Sequence, residues 1–181
     1  RMNTGINRGY QPGMLREDGR LRRNTSAAGL TIFRSHRWGD DWNGVAFVAE
    51  TTGNLVAAFR MQEQGSRLTG EQLTFPHDQY GQQAFLASTD ERFRPVDVEV
   101  GPDGNLYVVD IYRGVVQHRQ FVTSYLRKQV EERKLEQPIG LGRIWRVVAD
   151  EEESQIEPLG LLAGEAGRVQ AIHHPVGWVR D

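Results

Sequence analysis

Short segments in which apolar and polar positions alternate recur along most of the chain. The stretch FRPVDVEVGPDGNLYVVDIYRGVVQHR, residues 93–119, alternates on both sides of a Gly-Pro-Asp-Gly turn, as the two arms of a β-hairpin do. Eight segments that are rich in Val, Ile, Phe, Tyr and Thr and bounded by Gly, Asn or Asp are predicted strands: Leu30–Arg34, Val45–Glu50, Asn54–Met61, Arg67–Leu73, Val96–Val100, Leu106–Tyr112, Val115–Arg119 and Arg143–Val148. The sequence therefore predicts an all-β meander.

Two stretches of the meander repeat one pattern. FVAETTGNLVAAFR, residues 47–60, and YVVDIYRGVVQHR, residues 107–119, share the order aromatic, Val, small or apolar, acid, Gly, apolar pair. Such self-similarity is typical of β-propeller blades, although two hairpins of a β-sandwich could also look alike. Eight strands make about two four-stranded antiparallel blades, whereas a closed propeller ring needs about 4–8 blades. The predicted fold is therefore all-β, a partial β-propeller that forms the C-terminal sector of a larger ring.

One helix interrupts the strands, and the composition changes near the C-terminus. TSYLRKQVEERKLEQP offers Thr123 or Ser124 as an N-cap and Pro138 as a stop, which predicts a helical insert over about residues 122–136. Residues 1–148 are then the propeller sector, residues 149–158 an acidic linker, and residues 159–181 a short α-helical segment. The chain thus has one β domain and a helical appendage.

Composition narrows the classes of function. Lys and Arg total 22 against 24 for Asp and Glu, so the surface carries no net positive field that would hold nucleic acid. Cysteine is absent, which excludes disulfides, thiolate zinc sites, a thiol nucleophile and a Cys-x-x-Cys-His haem attachment site in this chain. The apolar runs are far shorter than the ~20 residues of a membrane helix.

Four stretches carry a resemblance to a known family: GINRGYQPGMLREDGRL, WNGVAFVAETTGNLV, FLASTDERFRPVDVEVGPDGNLYVVDIYRGVVQHRQFVTSYLRKQVEERKL and PIGLGRIWRV. Over about residues 4–148 the chain resembles the C-terminal part of the propeller domain of large bacterial membrane-bound dehydrogenases of planctomycete and verrucomicrobial type. That domain is similar to PQQ-dependent glucose and sorbosone dehydrogenases. In the large proteins HEAT-type helical repeats and a c-type cytochrome domain follow it, and HHPVGWVRD resembles the start of those repeats.

The resemblance implies a cofactor contact at Arg94. The sugar dehydrogenases place two arginines before the Gly-Pro-Asp-Gly turn, facing the quinone; the first matches Arg94 and the second falls on Val96, or, with a two-residue slip, the pair matches Arg92 and Arg94. A lysine of those enzymes falls on Thr52. PQQ with bound calcium is the cofactor that the resemblance implies. The general base and the calcium-binding carbonyls would lie in earlier blades, so no catalytic residue is assigned.

The remaining candidates have structural alternatives. Arg94 at the mouth of a propeller could hold an anion, or it could form a rim salt bridge with Asp90 or Glu91. Asp110, with Tyr112 and Arg113 after it, ends a strand and is a candidate for binding substrate hydroxyls.

Some motifs favour structural roles. The acid at Asp110 recurs as Glu50 in the other repeat, which favours a turn contact, and Asp103 is explained by its turn. The scattered histidines lack ligand spacing, so no metal site is predicted. Trp38 and Trp42 are expected to pack within their loop or to stack on a sugar.

Two functions follow as hypotheses. The first is a sector of a PQQ-type sugar or alcohol dehydrogenase-like propeller that passes electrons to a c-type haem domain outside this chain, in the periplasm or cell envelope. The second is a non-catalytic propeller and solenoid scaffold that binds carbohydrate or protein. In both, the partners are the remaining blades and helical repeats of a parent protein. The isolated chain is predicted to be inactive because the quinone site is incomplete in it.

Overall fold

The computed structural model describes residues 6–17, 19, 21–149, 167, 169, 171, 174, 176 and 177. The predicted acidic linker lies outside the described residues except for residue 149. Of the predicted C-terminal helical segment, six residues are described, and four of them are helical: Gly167, Val169, Ala171 and Gly177.

Ten strands and one α-helix make up the described secondary structure. The strands are β1 (Ala27–Ile32), β2 (Ala46–Glu50), β3 (Leu55–Gln64), β4 (Arg67–Leu73), β5 (Phe75–His77), β6 (Gly81–Gln83), β7 (Leu86–Ala87), β8 (Pro95–Val100), β9 (Leu106–Asp110) and β10 (Arg143–Val147), and the helix is α1 (Ser124–Arg133). Short 3-10 turns lie at Asp40–Trp42 and Arg119–Phe121. No helix among the described residues is long and apolar enough to cross a membrane.

The strands form two principal antiparallel sheets. The first has the order β1-β2-β3-β4, with β7 also paired to β3, and the second has the order β10-β9-β8. Strands β5 and β6 form a separate hairpin. Within the described residues neither sheet closes into a barrel. The chain is therefore an all-β, partial propeller-like fold with one helical insert, as the sequence predicts.

An equivalent hydrogen bond occurs in both sheets. In the first, the backbone N–H of Ser26, just before β1, donates to the carboxylate of Glu50 at the end of β2 (3.0 and 3.1 Å). In the second, the backbone N–H of Arg94, just before β8, donates to Asp110 Oδ1 at the end of β9 (2.8 Å). In each sheet, the repeated acid at the end of one strand thus binds the backbone just before the neighbouring strand, at the same corner of the sheet.

Both sheets also carry a β-bulge at the same place. The register of β1 on β2 shifts by one residue between Ala27 and Leu30, and the register of β8 on β9 shifts by one residue between Pro95 and Asp97. A bulge inserts one extra residue on one strand and increases the local twist. The two sheets are therefore copies of one unit.

The third strand of the second unit is not where the sequence predicts it. Val115–Arg119 forms no strand, and β10 takes its place: Asp110 pairs with Arg143 as Glu50 pairs with Leu55. The side chain of Val115 instead packs against the apolar cluster of the insert, which consists of Leu126, Val130 and Leu135. The second sheet consequently has three strands among the described residues rather than four.

The insert is a helix with defined ends. The Thr123 hydroxyl, one of the two predicted caps, accepts from Leu126 N (3.3 Å). Leu126 and Val130 are the buried face of α1. The helix ends at Lys134 in the left-handed conformation, four residues before the predicted stop at Pro138.

The core lies between the two sheets. Buried side chains of both sheets and of the segments beside them form one cluster: Phe33, Val45, Phe47, Ala49, Val56, Ala58, Phe93, Val98, Val100, Leu106, Val108 and Val176. Strands β1 and β8 approach closely, since a Cβ on Gly29 would lie 2.6 Å from Asp97 Cα. Other apolar side chains face outward: Leu30 is 59% and Ile144 is 66% exposed.

Asp103 organises the turn between β8 and β9, as its sequence context predicts. Its carboxylate accepts from the Asn105 amide (3.0 Å), the Tyr107 hydroxyl (3.1 Å) and Arg146 Nε (2.6 Å). Burial raises the pKa of Asp103, but the hydrogen bonds from Asn105, Tyr107 and Arg146 outweigh it and hold the pKa below the usual value.

The free energy of unfolding at acidic pH should depend on the ionisation of Asp103. Because its folded pKa is lowered, Asp103 stabilises the fold above the unfolded pKa of 3.8, and the contribution is lost as pH falls through the folded value. Asp103→Asn should therefore cost about 1–2 kcal/mol at pH 7, and the difference from the parent protein should shrink toward pH 2. Urea unfolding at a series of pH values measures this. A difference that stayed constant over that series would contradict the assignment.

Candidate functional site

A cavity of about 570 Å³ opens where the β2–β3 turn meets the start of β8. Its walls come from the N-terminal segment and the helical insert. The lining residues are Ile6, Asn7, Arg8, Tyr10, Met14, Thr25, Thr52, Arg94, Val115, Val116, Gln117, Phe121, Thr123 and Leu126. Arg94 and Thr52, the two positions that the family resemblance aligns with cofactor contacts, thus lie in one cavity.

The N-terminal segment is fastened to the insert through Asn7. The Asn7 amide donates to Phe121 O (2.9 Å) and its oxygen accepts from Thr123 N (2.9 Å). The Thr123 hydroxyl donates to Asn7 O (2.7 Å). These long-range bonds hold the two walls of the cavity together.

The guanidinium of Arg94 is buried and is bound by backbone carbonyls. Arg94 is 1% exposed. Its Nε donates to Arg113 O (2.9 Å), one terminal nitrogen donates to Thr51 O (3.0 Å) and Thr52 O (3.3 Å), and the other donates to Gly114 O (3.0 Å). These four contacts occupy all three nitrogens of the guanidinium. Arg94 therefore joins the β2–β3 turn to the segment that follows β9.

The guanidinium of Arg94 has no contacting counter-ion in the part of the chain that the structure describes. No carboxylate among the described residues forms an ion pair with it, and Glu91, one of its two predicted rim partners, is paired with Arg133. The predicted rim salt bridge is wrong because the side chain points inward to carbonyl groups. Burial lowers the pKa of Arg94 to about 10, opposed in part by the more distant charges of Asp110 and Asp90. The group stays cationic at neutral pH and gives the cavity wall a positive charge.

Asp110 lies behind this wall. It is 1% exposed; Oδ1 accepts from the backbone N–H groups of Arg94 and Tyr112 (both 2.8 Å), and Oδ2 accepts from Trp145 Nε1 (3.2 Å). Arg143 Nε lies 3.8 Å from Oδ2. The residue does not line the cavity. Its hydrogen bonds are those of a turn contact, the structural alternative that the recurrence of the acid as Glu50 favours.

A family comparison covers nearly all of this region. Residues 4–151 match the profile of a family described as a domain of unknown function, DUF7133. The chain belongs to the DUF7133 family. No curated protein and no solved structure matches the chain.

Tyr112 and Arg113 stand at the edge of the DUF7133 cavity rather than in it. Tyr112 has a φ of 45°, and its hydroxyl donates to Asp90 Oδ2 (2.8 Å). That hydrogen bond, followed by burial and the charge of Asp90, raises the pKa of Tyr112. The Arg143 guanidinium lies 3.7 Å from the centre of the Tyr112 ring. Arg113 contributes its backbone carbonyl to Arg94. Their proposed role in substrate binding stays a prediction.

The two candidate positions for a second arginine both lie outside the cavity. Val96 is on β8, and Arg92 donates to Lys134 O (2.9 Å) and Gln137 O (2.8 Å) at the end of the insert. The cation that does join Arg94 in the lining is Arg8. Sequence reasoning missed it because residues 1–29 look like loop, and only the GINRGY motif marks the position.

Other predicted groups are placed in the core or on the surface of the DUF7133 fold. Trp38 stacks on Phe33 with ring centres 4.4 Å apart, and Trp42 stacks on Phe47 at 6.0 Å. This confirms packing for both tryptophans. No group of three or more His, Asp or Glu side chains that could hold a metal ion occurs in the described part of the chain.

Proposed function

We propose that this DUF7133 chain is a sector of a PQQ-type sugar or alcohol dehydrogenase-like propeller and that the cavity at Arg94 binds the anionic cofactor. The observation that carries the proposal is the buried cationic side chain of Arg94 in a cavity wall, where no carboxylate of the described residues contacts it. A buried charge is costly unless it is compensated, and a bound anion would complete the compensation.

The described residues fit one part of such a cofactor. PQQ is a tricarboxylate and an ortho-quinone, which calls for several cations or N–H donors. Arg94 offers its charge, and Arg8 offers an exposed guanidinium. Thr52 supplies a hydroxyl where the related enzymes have a lysine. When bound, the quinone accepts two electrons from the substrate; the role of this chain's residues is to bind and orient its carboxylates.

The outward apolar faces support the proposed partners. Leu30 and Ile32 on β1 and Ile144 on β10 are exposed at 59%, 39% and 66%. Contiguous exposed apolar surface marks interaction sites. We propose that further propeller blades of a parent protein cover these faces. The periplasmic location, the helical repeats and the haem domain are proposed from the family resemblance alone.

One observation favours the second function, a non-catalytic scaffold. All three guanidinium nitrogens of Arg94 donate to backbone carbonyls, so the side chain already performs a structural task. A scaffold of this kind would bind carbohydrate or protein and would have no need of a quinone.

Adding the missing cation tests which function holds. Thr52→Lys in the full-length protein should tighten PQQ binding about tenfold, since one charge-assisted hydrogen bond is worth about 1.5–3 kcal/mol. Thr69→Lys, an equal charge change on β4 outside the cavity, is the matched control and should leave binding unchanged. Fluorescence titration with PQQ, with and without calcium, measures both, and dye reduction over a sugar panel measures turnover.

The outcomes separate the two functions. Micromolar PQQ binding that Thr52→Lys strengthens and Thr69→Lys does not would support the cofactor site. Absence of PQQ binding in the parent protein, or an equal response of the two variants, would remove the dehydrogenase proposal and leave the scaffold. The isolated 181-residue chain should show no turnover.

A further inference from the structure

We propose that a second cavity, of about 590 Å³, binds an acidic oligosaccharide, one that carries carboxylate or sulfate groups. It lies between the N-terminal segment and the outer part of the first sheet, where β3, β4 and the β5–β6 hairpin meet. The proposal does not rest on the cofactor proposed above, since none of the described residues lines both cavities.

One wall of this second cavity is cationic. Arg16, Arg22 and Arg23 line it, and all three are exposed. A tight hairpin presents them: Leu15 pairs with Leu21, and Arg22 N donates to Met14 O (3.0 Å). Among the described residues these three side chains form no hydrogen bond or ion pair. Among the described residues that line the cavity there is no Asp or Glu.

The opposite wall is neutral and rich in hydrogen-bonding groups. Its amide side chains belong to Gln72, Gln82 and Gln83, and threonine and serine hydroxyls lie beside them. His77 and Tyr80 stack with ring centres 4.8 Å apart and planes inclined by 28°. His77 Nδ1 accepts from Gln79 N (3.1 Å), so the neutral imidazole carries its hydrogen on Nε2, where it is a donor.

This combination matches the chemistry of an acidic sugar. Arginine forks bind carboxylate and sulfate with two parallel hydrogen bonds. Amide and hydroxyl groups exchange hydrogen bonds with sugar hydroxyls, and an aromatic ring packs against the apolar face of a pyranose. A neutral ligand would leave the arginines unused, whereas an isolated inorganic anion would leave the amide wall unused.

A nucleic acid is the less favoured occupant. Binding along a phosphate backbone needs a stripe of many cations, and here three arginines stand in a chain whose net charge is −2. The amide-rich wall has no role in contacts to phosphate groups. A short acidic glycan uses both walls.

The test is a binding titration of the full-length protein with four probes. Tetragalacturonate is the carboxylated probe, a κ-carrageenan tetrasaccharide is the sulfated probe, maltotetraose is the neutral sugar, and an octathymidylate is the nucleic acid. Arg22→Gln with Arg23→Gln removes two charges from the cavity. Arg60→Gln with Arg67→Gln removes two exposed charges elsewhere on the first sheet and is the matched control.

We expect at least one acidic tetrasaccharide to bind, the cavity variant to weaken it at least tenfold, and the control variant to change it less than twofold. PQQ binding should be the same in both variants, so failure here is distinguishable from failure of the cofactor site. Equal losses in the two variants, preference for maltotetraose, or tighter binding of the octathymidylate would each overturn the proposal.

Discussion

Replacing Arg94 with methionine is expected to lower the free energy of unfolding by about 3–5 kcal/mol. The reason is the number of partners that lose their donor. The carbonyls of Thr51, Thr52, Arg113 and Gly114 all accept from this one side chain. Methionine fills a similar volume but donates nothing, so the carbonyls of Thr51 and Gly114 lose buried hydrogen bonds, and those of Thr52 and Arg113 lose partly buried ones.

Two further variants show which property of Arg94 matters. Arg92→Met removes a neighbouring arginine that also donates to carbonyls, but in an exposed setting, and should cost about 1 kcal/mol or less. Arg94→Lys keeps the charge but loses the planar fork, so it should recover only a small part of the loss. Equilibrium urea unfolding monitored by circular dichroism measures all three. Equal losses at positions 92 and 94 would show that the buried carbonyls do not depend on Arg94.

The hairpin around the Gly-Pro-Asp-Gly turn was predictable because its determinants are local. The alternation of apolar and polar residues predicted β8 and β9. The residues of the turn predicted their connection, in which Gly104 has a φ of 73°. The repeated acid was also visible in the sequence, and the bonds of Glu50 and Asp110 show what it does. Patterns that depend on neighbours along the chain were therefore sufficient for most strands and for the fold class.

Features that depend on distant contacts were not predictable in the same way. Val115–Arg119 has the composition of a strand, yet its position beside β9 is taken by β10, more than twenty residues later in the chain. No local pattern distinguishes an apolar run that pairs with a sheet from one that packs on a helix. Likewise, the carbonyl partners of Arg94 belong to two separate turns, so a salt bridge with its sequence neighbours was the more obvious expectation.

Asp110→Asn should have the second largest effect, a loss of about 2–4 kcal/mol. An asparagine oxygen can keep the two backbone N–H groups that Oδ1 accepts, but its amide nitrogen then faces Trp145 Nε1, and two donors meet in a partly buried site. The change also removes the negative charge that raises the pKa of Arg94 against the effect of burial. The contact between the two donors and the loss of the charge near Arg94 both destabilise the region around the end of β9.

The other repeat supplies the matched control for this prediction. Both oxygens of Glu50 accept from the single N–H of Ser26, so Glu50→Gln keeps an acceptor and should cost about 1 kcal/mol or less. Adding Trp145→Phe to Asp110→Asn removes the competing donor, so the double variant should be more stable than the sum of the single losses predicts, by about 0.5–3 kcal/mol. Urea unfolding of the four proteins closes the cycle. Additive losses of unfolding free energy would mean that the indole does not interact with the carboxylate. Similar losses at positions 50 and 110 would mean that the two acids contribute equally in both sheets and that the contribution of Asp110 does not depend on Arg94.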